Sequence, residues 1–324
     1  MEAPGWMSKV THKTVKTNGI NMHVVELGTG PTVLLLHGFP EFWYSWRYQI
    51  PALADAGFHV VAPDLRGYGE TDAPKDPSLY TTLHIVGDVV GMLDALGETE
   101  PVFVVAHDWG AVIGWDLCLF RPDRVKAIVG ISVPYAPTMP GPSSLQLHTA
   151  QLGEGFYQNR FQEPGRAERD FAKTGTKMTL MKFLYAGARE IFIAPPHQEL
   201  MESIAPPPSQ PSWITDFDID YYTKELERSG WTGGLNYYRN MDKTHELKAP
   251  WLKAKLTTTA LFVAGSEDIT LKHPSSKDYI YKGLKTYVFN LKDIVVLDGG
   301  HFIQQEQGDQ LNKVLIAFFL DHTA

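Results

Sequence analysis

Short, almost unbroken apolar runs recur along the chain, and they restrict its fold more than any other feature of the sequence. These runs span 32–36, 59–62, 102–106, 127–133, 259–264 and 294–297. Runs that are apolar on both faces are typical of central strands in a parallel sheet that helices cover on both sides. Between two of the runs, apolar residues from Leu83 to Leu96 repeat at helical spacing. The alternation predicts a doubly wound α/β core whose binding crevice lies at the carboxyl ends of the strands.

Two interruptions of this pattern indicate how the chain is organised. The segment Thr17-Asn18-Gly19-Ile20 separates two alternating stretches, and Asn-Gly suits a tight hairpin turn, so the chain is expected to begin antiparallel. Between about Pro134 and Lys248 the strand-like runs stop, and aromatic, charged and proline-rich stretches replace them. We therefore predict a core formed by 1–135 and 247–324, with a helical lid inserted at 136–246.

Composition excludes several classes of partner. The formal net charge of −8 argues against a phosphate-binding face, so nucleic acid is not an expected partner. Cys118 is the only cysteine, which excludes an intramolecular disulfide and a cysteine-rich zinc site. Residues 1–16 contain no continuous apolar run, so we expect no signal-type leader, and no apolar stretch approaches the ~20 residues that span a bilayer. We expect a cytoplasmic protein without membrane insertion.

The strongest chemical motif is a strand that stops at a polar residue and then enters a helix, in the segment Val104-Val105-Ala106-His107-Asp108-Trp109-Gly110-Ala111. A sharp strand-to-helix turn leaves room only for small side chains two residues either side of its apex, as Ala106 and Gly110 provide. Nucleophiles stand at such apices, and here the apex is Asp108. The structural alternative is that Asp108 only caps the helix.

Two further strands end in residues that complete a catalytic triad. Asp268 follows the run 259–264, and His301 follows the run 294–297 between Gly300 and Phe302. The chain order nucleophile, acid, histidine is that of a known triad topology, and each member lies at the edge where this fold places its active site. Taken alone, His301 would be interpreted as a surface or core histidine. The prediction of a triad depends on Asp108, Asp268 and His301 occurring together.

A glycine-bearing loop follows the first parallel strand, in His37-Gly38-Phe39-Pro40-Glu41. It could place the backbone N–H of Phe39 beside that of Trp109 and so form a two-donor oxyanion hole. A tight turn after a strand explains Gly38 and Pro40 equally well.

Three motifs give the chain a family resemblance, namely the loop 37–41, the segment Asp64-Leu65-Arg66-Gly67-Tyr68-Gly69 and the elbow 107–110. Together they resemble soluble epoxide hydrolases, especially the plant enzymes, over nearly the whole chain. The resemblance implies an α/β-hydrolase fold that uses no cofactor and no metal, with a small-molecule epoxide and water as its partners. It maps the family's epoxide-binding lid tyrosines to Tyr157 and to Tyr238, which directly precedes Arg239 as the family tyrosine precedes an arginine.

The same resemblance suggests that Glu41 helps to hold the attacking water and that His107 supports the water network. Glu41 could equally be a carboxylate favoured by a helix start, and His107 could be a histidine that packs the loop. For Tyr157 and Tyr238 the structural alternative is packing in an aromatic lid.

An aspartate nucleophile narrows the reaction. A serine that opened an epoxide would become an ether, whereas an aspartate becomes an ester that water can hydrolyse at the protein's own carbonyl. Asp108 therefore predicts attack on an sp³ carbon, as in epoxides or alkyl halides. An epoxide oxygen needs a hydrogen-bond or proton donor, which tyrosine hydroxyls supply. The preferred epoxide, fatty-acid or aryl, stays open.

Two other functions compete with this prediction. A haloalkane or fluoroacetate dehalogenase shares the aspartate elbow, although Phe39 stands where many haloalkane dehalogenases have asparagine, and the lid tyrosines argue against it. A non-catalytic binding protein of the same fold is the other alternative, but a complete triad with aspartate at its apex disfavours it. Nothing in the sequence demands a protein partner, so we expect a monomer or a homodimer.

Overall fold

One mostly parallel sheet organises the molecule, for which the computed structural model describes residues 4–186 and 190–323. Its strands are β1 (Thr11–Thr17), β2 (Ile20–Leu27), β3 (Thr32–Leu36), β4 (His59–Pro63), β5 (Val102–His107), β6 (Val125–Ile131), β7 (Thr259–Gly265) and β8 (Leu291–Leu297). Among the described residues these eight form a single sheet in the order β1-β2-β4-β3-β5-β6-β7-β8. β2 pairs antiparallel with β1 and β4, and the pairs from β4 to β8 are parallel.

The chain begins with the predicted hairpin. Thr17 pairs with Ile20 across the turn. Asn18 and Gly19 have φ values of 42° and 82°, the positive values that an Asn-Gly turn accepts readily.

Helices cover both faces of the sheet. Those of the core are α1 (Gln49–Asp55), α2 (Thr82–Leu96), α3 (Trp109–Phe120), α12 (Ile269–Lys272), α13 (Pro274–Asp278), α14 (Leu284–Tyr287), α15 (Ile303–Glu306) and α16 (Gly308–Leu320). Side chains of β3 alternate between two apolar layers: Leu34 and Leu36 pack with residues of α2 and α3, whereas Val33 and Leu35 pack with residues of α1 and α16. The predicted α/β architecture with helices on both faces is confirmed.

The regular structure between β6 and β7 is mainly helical among the described residues, with one isolated antiparallel bridge between Phe156 and Ile193. Its helices are α4 (Ser144–Leu152), α5 (Tyr157–Arg160), α6 (Arg166–Thr174), α7 (Thr176–Ala186), α8 (Leu200–Ser203), α9 (Asp216–Ser229), α10 (Thr232–Arg239) and α11 (Met241–Leu247). Short 3-10 helices cover Gly5–Lys9, Trp43–Trp46, Pro77–Tyr80, Pro122–Arg124 and Ala249–Trp251, and a π-helical turn covers Tyr279–Gly283. The predicted boundaries between core and lid, at residues 135/136 and 246/247, stay a prediction.

The interpretation of the last apolar run as a covered central strand is wrong. β8 lies at the edge of the sheet, and Val296 is 40% exposed. An apolar run of four residues does not distinguish an edge strand from a central one, because its position depends on which strands pair with it. The run 127–133 also extends past its strand, since β6 ends at Ile131 and Ser132 adopts a φ of 67°.

Across the described ranges, no helix combines the length and the apolar character that crossing a membrane requires.

The start of α3 generates a stability prediction. A Cβ at Gly110 would lie 2.1 Å from the Leu36 carbonyl oxygen, a backbone atom of a central strand, whereas a Cβ at Gly114 would lie 2.9 Å from the Ala106 Cβ. Gly110→Ala should therefore lower the free energy of unfolding by about 2 kcal/mol or more. Gly114→Ala, one turn along the same helix, should cost less because alanine favours the helix interior. Urea unfolding of both variants measures this order, and an equal or smaller loss at Gly110 would contradict it.

Candidate active site

Asp108 lies at the apex of the turn between β5 and α3. Its φ and ψ are 52° and −120°, a conformation that non-glycine residues rarely adopt and that clusters at functional sites. The Asp108 carbonyl accepts hydrogen bonds from the N–H groups of Ala111 and Val112, which fixes the strained residue to the first turn of the helix. The Asp108 side chain makes no capping hydrogen bond, so helix capping does not explain the carboxylate.

Close approach of the backbone explains the glycine of the preceding loop. A Cβ at Gly38 would lie 2.4 Å from the Cβ of Asp108. Any larger residue would displace the loop or the elbow. Gly38 is therefore required by its contact with Asp108, and not only by a turn after β3.

The two carboxylate oxygens of Asp108 have different partners. The backbone N–H of Phe39 donates to Oδ1 at 2.8 Å. Oδ2 lies 3.4 Å from Nε2 of His301. Trp109 occupies the first position of α3, where a backbone N–H has no acceptor within the helix. The carboxylate thus has one oxygen held by the loop and the other facing the histidine.

His301 lies between two carboxylates, as the chain order predicts. Its Nδ1 is 3.4 Å from both oxygens of Asp268, and Asp268 Oδ1 also accepts a hydrogen bond from the N–H of Thr270 at 2.9 Å. Asp268 is fully buried, and His301 is 7% exposed. Asp108, His301 and Asp268 therefore form one connected group at the carboxyl edge of the sheet.

Electrostatics favour an ion pair in this group. Burial alone would lower the pKa of His301, but the charge of Asp268 and the hydrogen bond to Asp108 raise it well above its ordinary value. Burial would raise the pKa of Asp108, yet the hydrogen bond and the charge of His301 bring it below its ordinary value. The pKa of Asp268 is lowered against burial chiefly by the charge of His301. The resting site holds an imidazolium between two carboxylates.

Two lid tyrosines lie against the elbow. Tyr157 begins α5 and Tyr238 lies in α10, with their ring centroids 5.8 Å apart. The ring of Tyr238 is 5.1 Å from that of Trp109. Tyr237 belongs to a different environment, because its hydroxyl donates to the carbonyl of Arg66 at 2.9 Å.

Hydrogen bonds and an ion pair within the lid anchor both tyrosines. Gln162 Nε2 donates to the carbonyl of Tyr238 at 3.0 Å, and the Arg239 guanidinium pairs with Glu168 of α6. Gln158 Nε2 donates to the hydroxyl oxygen of Tyr157 at 3.1 Å. The lid thus holds the two phenol rings in place through backbone and side-chain contacts.

Both phenols remain protonated in this setting. Burial, followed by the negative charge of Asp108, raises the pKa of Tyr157. Burial and then the neighbouring Tyr157 and Asp108 raise the pKa of Tyr238 well above its ordinary value. Each tyrosine can therefore offer an O–H to a ligand above Asp108.

An aromatic wall encloses the space beside the tyrosines. The ring of Phe39 contacts those of Phe161, Phe183, Trp231 and Tyr238, with centroids 5.4 to 6.1 Å apart. These surroundings favour an apolar ligand.

Glu41 and His107 form a buried network behind the triad. Oε2 of Glu41 lies 2.9 Å from Nδ1 of His107, and Nε2 of His107 lies 2.8 Å from the carbonyl oxygen of His301. Oε1 of Glu41 accepts from the side-chain amides of Gln304 and Gln305 at 2.9 and 2.7 Å. These partners lie outside the 3-10 helix that follows Glu41, so a helix-start role does not explain its carboxylate. The network reaches the triad through the backbone of His301.

Several residues of the site have no counterpart among the sequence predictions. Ser132 Oγ donates to the His301 carbonyl at 2.9 Å. Ser132 ends an apolar strand as Asp108 does, so the same pattern could have identified it. No sequence pattern identifies Gln158, Gln304 and Gln305. Their hydrogen-bond partners lie far away in the sequence, or are reached only in one orientation of the side chain.

Within 4–186 and 190–323, no group of three or more histidine, cysteine, aspartate or glutamate side chains is arranged to hold a metal ion.

Comparison with known proteins identifies similar chains. Residues 31–307 match the model of the α/β-hydrolase fold family. The chain is 48% identical to epoxide hydrolase 1 of Siraitia grosvenorii over 96% of this chain and 99% of that protein. It is 36% identical to epoxide hydrolase A of Mycobacterium tuberculosis over 96% and 98% of the two chains.

Solved structures give the same result. Potato epoxide hydrolase I superposes with a TM-score of 0.92 at 44% identity, covering 97% of this chain and all of that chain. The Vigna radiata epoxide hydrolase superposes with a TM-score of 0.93 at 43% identity, covering 98% and 100%.

The charge arrangement predicts how the pKa of His301 responds to substitution. Asp268→Asn removes the negative charge that contributes most to raising that pKa, so the pKa should fall by at least about one unit. Asp298→Asn, which neutralises an exposed carboxylate three residues before His301, should leave it unchanged. Titration of the His301 ring by NMR measures both shifts. A pKa that Asp268→Asn leaves at the wild-type value would contradict the charge assignment.

Proposed function

Because this chain belongs to the α/β-hydrolase fold family, and within it to the epoxide hydrolases, we propose that it forms diols through an alkyl-enzyme ester on Asp108. One observation carries the proposal: a carboxylate occupies the elbow, between a backbone donor and a histidine, beneath two protonated tyrosines. A carboxylate supports a full catalytic cycle at an sp³ carbon, because its ester regenerates on hydrolysis.

The partners of the two carboxylate oxygens divide their roles. Oδ1 is held by the Phe39 N–H and stays in that position as the carbonyl oxygen of the ester. Oδ2 attacks the epoxide carbon and becomes the ester oxygen bonded to the substrate. When water later adds to the carbonyl carbon, Oδ1 becomes the oxyanion, with the N–H groups of Phe39 and Trp109 as its donors.

Tyr157 and Tyr238 assist the opening of the ring. As the C–O bond of the epoxide breaks, negative charge develops on the substrate oxygen, and two phenol O–H groups stabilise it by hydrogen bonding. The raised pKa values of both tyrosines keep these donors protonated before the reaction. One phenol then supplies the proton that makes the alkoxide a hydroxyl.

Alkylation itself converts His301 into a base. The negative charge of Asp108 disappears when the ester forms, and with it one of the interactions that raise the pKa of His301. The imidazolium then returns its proton, through water, to the phenol that protonated the alkoxide, and the neutral ring deprotonates the attacking water. Asp268 orients the ring through Nδ1 and offsets the charge that returns to it.

We propose that Glu41 and His107 position the groups that hydrolyse the ester. They connect the loop that carries Phe39 to the carbonyl of His301, so the oxyanion donor and the base keep a fixed separation. We propose that the same polar groups hold the attacking water. The substrate is an apolar epoxide, which the aromatic wall around Phe39 favours.

A dehalogenase reaction is the competing function for an aspartate elbow. A halide leaves as an anion that needs N–H donors and no proton, whereas in this chain two protonated lid tyrosines lie side by side near Asp108. Halide release from alkyl halides without diol formation from epoxides would favour the dehalogenase.

Trapping the ester tests the proposed function directly. In His301→Gln the base is lost while nucleophile and tyrosines remain, so mixing with excess styrene oxide should raise the intact protein mass by the mass of one epoxide. Digestion and mass spectrometry should place the adduct on Asp108.

Two additional changes in the same background serve as controls. Asp108→Ala should abolish the adduct because the nucleophile is absent. Tyr157→Phe with Tyr238→Phe should slow its formation by at least about 100-fold, since both donors to the leaving oxygen are lost. An adduct that still forms with alanine at position 108, or at the original rate without both hydroxyls, would contradict the proposal.

A further inference from the structure

A chain of side-chain hydrogen bonds leads from the Tyr157 hydroxyl to the outer part of the lid. Gln158 Nε2 donates to the Tyr157 oxygen at 3.1 Å, and Oε1 of Gln158 lies 2.9 Å from Nδ1 of His148. His148 lies in α4, whereas Tyr157 and Gln158 begin α5. His148 and Gln158 are both half-buried. The Gln158 amide thus connects the two lid helices at one end and contacts the Tyr157 hydroxyl at the other.

The direction of these bonds matters for the chemistry. An amide oxygen only accepts, so His148 donates its Nδ1–H to Oε1 and thereby directs the NH₂ of Gln158 toward Tyr157. The Tyr157 oxygen then accepts from Gln158 and keeps its own hydrogen for another acceptor. With the amide turned over, Oε1 would instead compete for the Tyr157 proton.

We propose that Gln158, oriented by His148, is a positioning residue that occupies the acceptor side of the Tyr157 hydroxyl and so directs its O–H toward the epoxide oxygen. The inference rests on the proposed role of Tyr157 in ring opening. It adds two residues, outside the triad and the tyrosine pair, on which the alkylation step depends.

Charge supports the same assignment. While the ring opens, the Tyr157 oxygen gains negative charge, and a hydrogen bond donated to it becomes stronger. The bond from Gln158 already opposes the rise in pKa that burial and Asp108 impose on Tyr157. Gln158 should therefore stabilise the transition state of ring opening more than the resting enzyme.

The structure offers a matched control at the next residue of each helix. Thr149 Oγ1 lies 2.6 Å from Asn159 Oδ1, which connects α4 with α5, and its other hydrogen-bond partner is the Leu145 carbonyl and not the Tyr157 hydroxyl. Thr149→Val removes this second connection between the helices. The alkylation rate of Thr149→Val therefore measures the effect of a weaker connection between α4 and α5 when the hydrogen bonds of Tyr157 are unchanged.

Rapid mixing with styrene oxide tests the inference by separating alkylation from ester hydrolysis, with tryptophan fluorescence as the signal. Gln158→Leu should lower the alkylation rate about tenfold, the worth of one hydrogen bond to a charged group, and leave the hydrolysis rate unchanged. Alkylation by Gln158→Glu, a variant of nearly the same shape, should be slower still at alkaline pH. Its ionised carboxylate accepts a hydrogen bond from the Tyr157 O–H and so turns that O–H away from the epoxide oxygen. His148→Phe should show a smaller loss, and Thr149→Val none.

A double-mutant cycle separates positioning from structural effects. In a Tyr157→Phe background, Gln158→Leu should have no further effect on alkylation, because the hydroxyl it positions is gone. Wild-type alkylation in Gln158→Leu and Gln158→Glu would overturn the inference while leaving the role of Tyr157 intact. A loss that persists in Tyr157→Phe, or that Thr149→Val reproduces, would also overturn it. A wild-type rate in Tyr157→Phe itself would refute the proposed role of Tyr157, and this inference with it.

Discussion

An imidazolium held between the buried carboxylate of Asp268 and the half-buried carboxylate of Asp108 is the interaction on which the rest of the site depends. Removing three charged groups from water is costly unless they pair and accept hydrogen bonds. His301 lies between Asp108 and Asp268, and backbone N–H groups of Phe39 and Thr270 add donors to the carboxylates. The arrangement keeps the nucleophile ionised beside an aromatic wall. It also makes the histidine sensitive to the loss of the Asp108 charge, which is what a two-step reaction requires.

The fold brings these groups together by close approach of backbone segments. Asp108 holds a rare conformation, and the Cβ atoms that Gly38 and Gly110 lack would collide with its side chain or with the carbonyl of Leu36. Strain of this kind persists only where the surrounding structure fixes it. The loop after β3, the elbow after β5 and the histidine after β8 therefore form one tightly packed unit, and the lid adds the two tyrosine hydroxyls above it.

Local sequence patterns predict much of this structure because they report local causes. Apolar runs predict the parallel strands, Asn18-Gly19 predicts the hairpin, and polar residues at strand ends predict which side chains meet at the edge of the sheet. The edge position of β8 escapes prediction, since strand pairing and not composition determines it. Gln158 and Gln304 escape it as well, because the side-chain geometry that gives them their partners is absent from any local pattern. The choice of Tyr238 over Tyr237 came from a family resemblance, and it agrees with a structure in which the Tyr237 hydroxyl bonds to Arg66.

The central claim is that the substrate alkylates Asp108 and that water then attacks the acyl carbon of that aspartate. A single turnover with excess enzyme in ¹⁸O-labelled water tests this most directly. If the ester forms, the first diol carries an unlabelled oxygen from Asp108, and the label enters the aspartate carboxylate. A first diol that carries the solvent label, on an enzyme whose Asp108 remains unlabelled, would mean direct hydration of the epoxide and would contradict the ester mechanism.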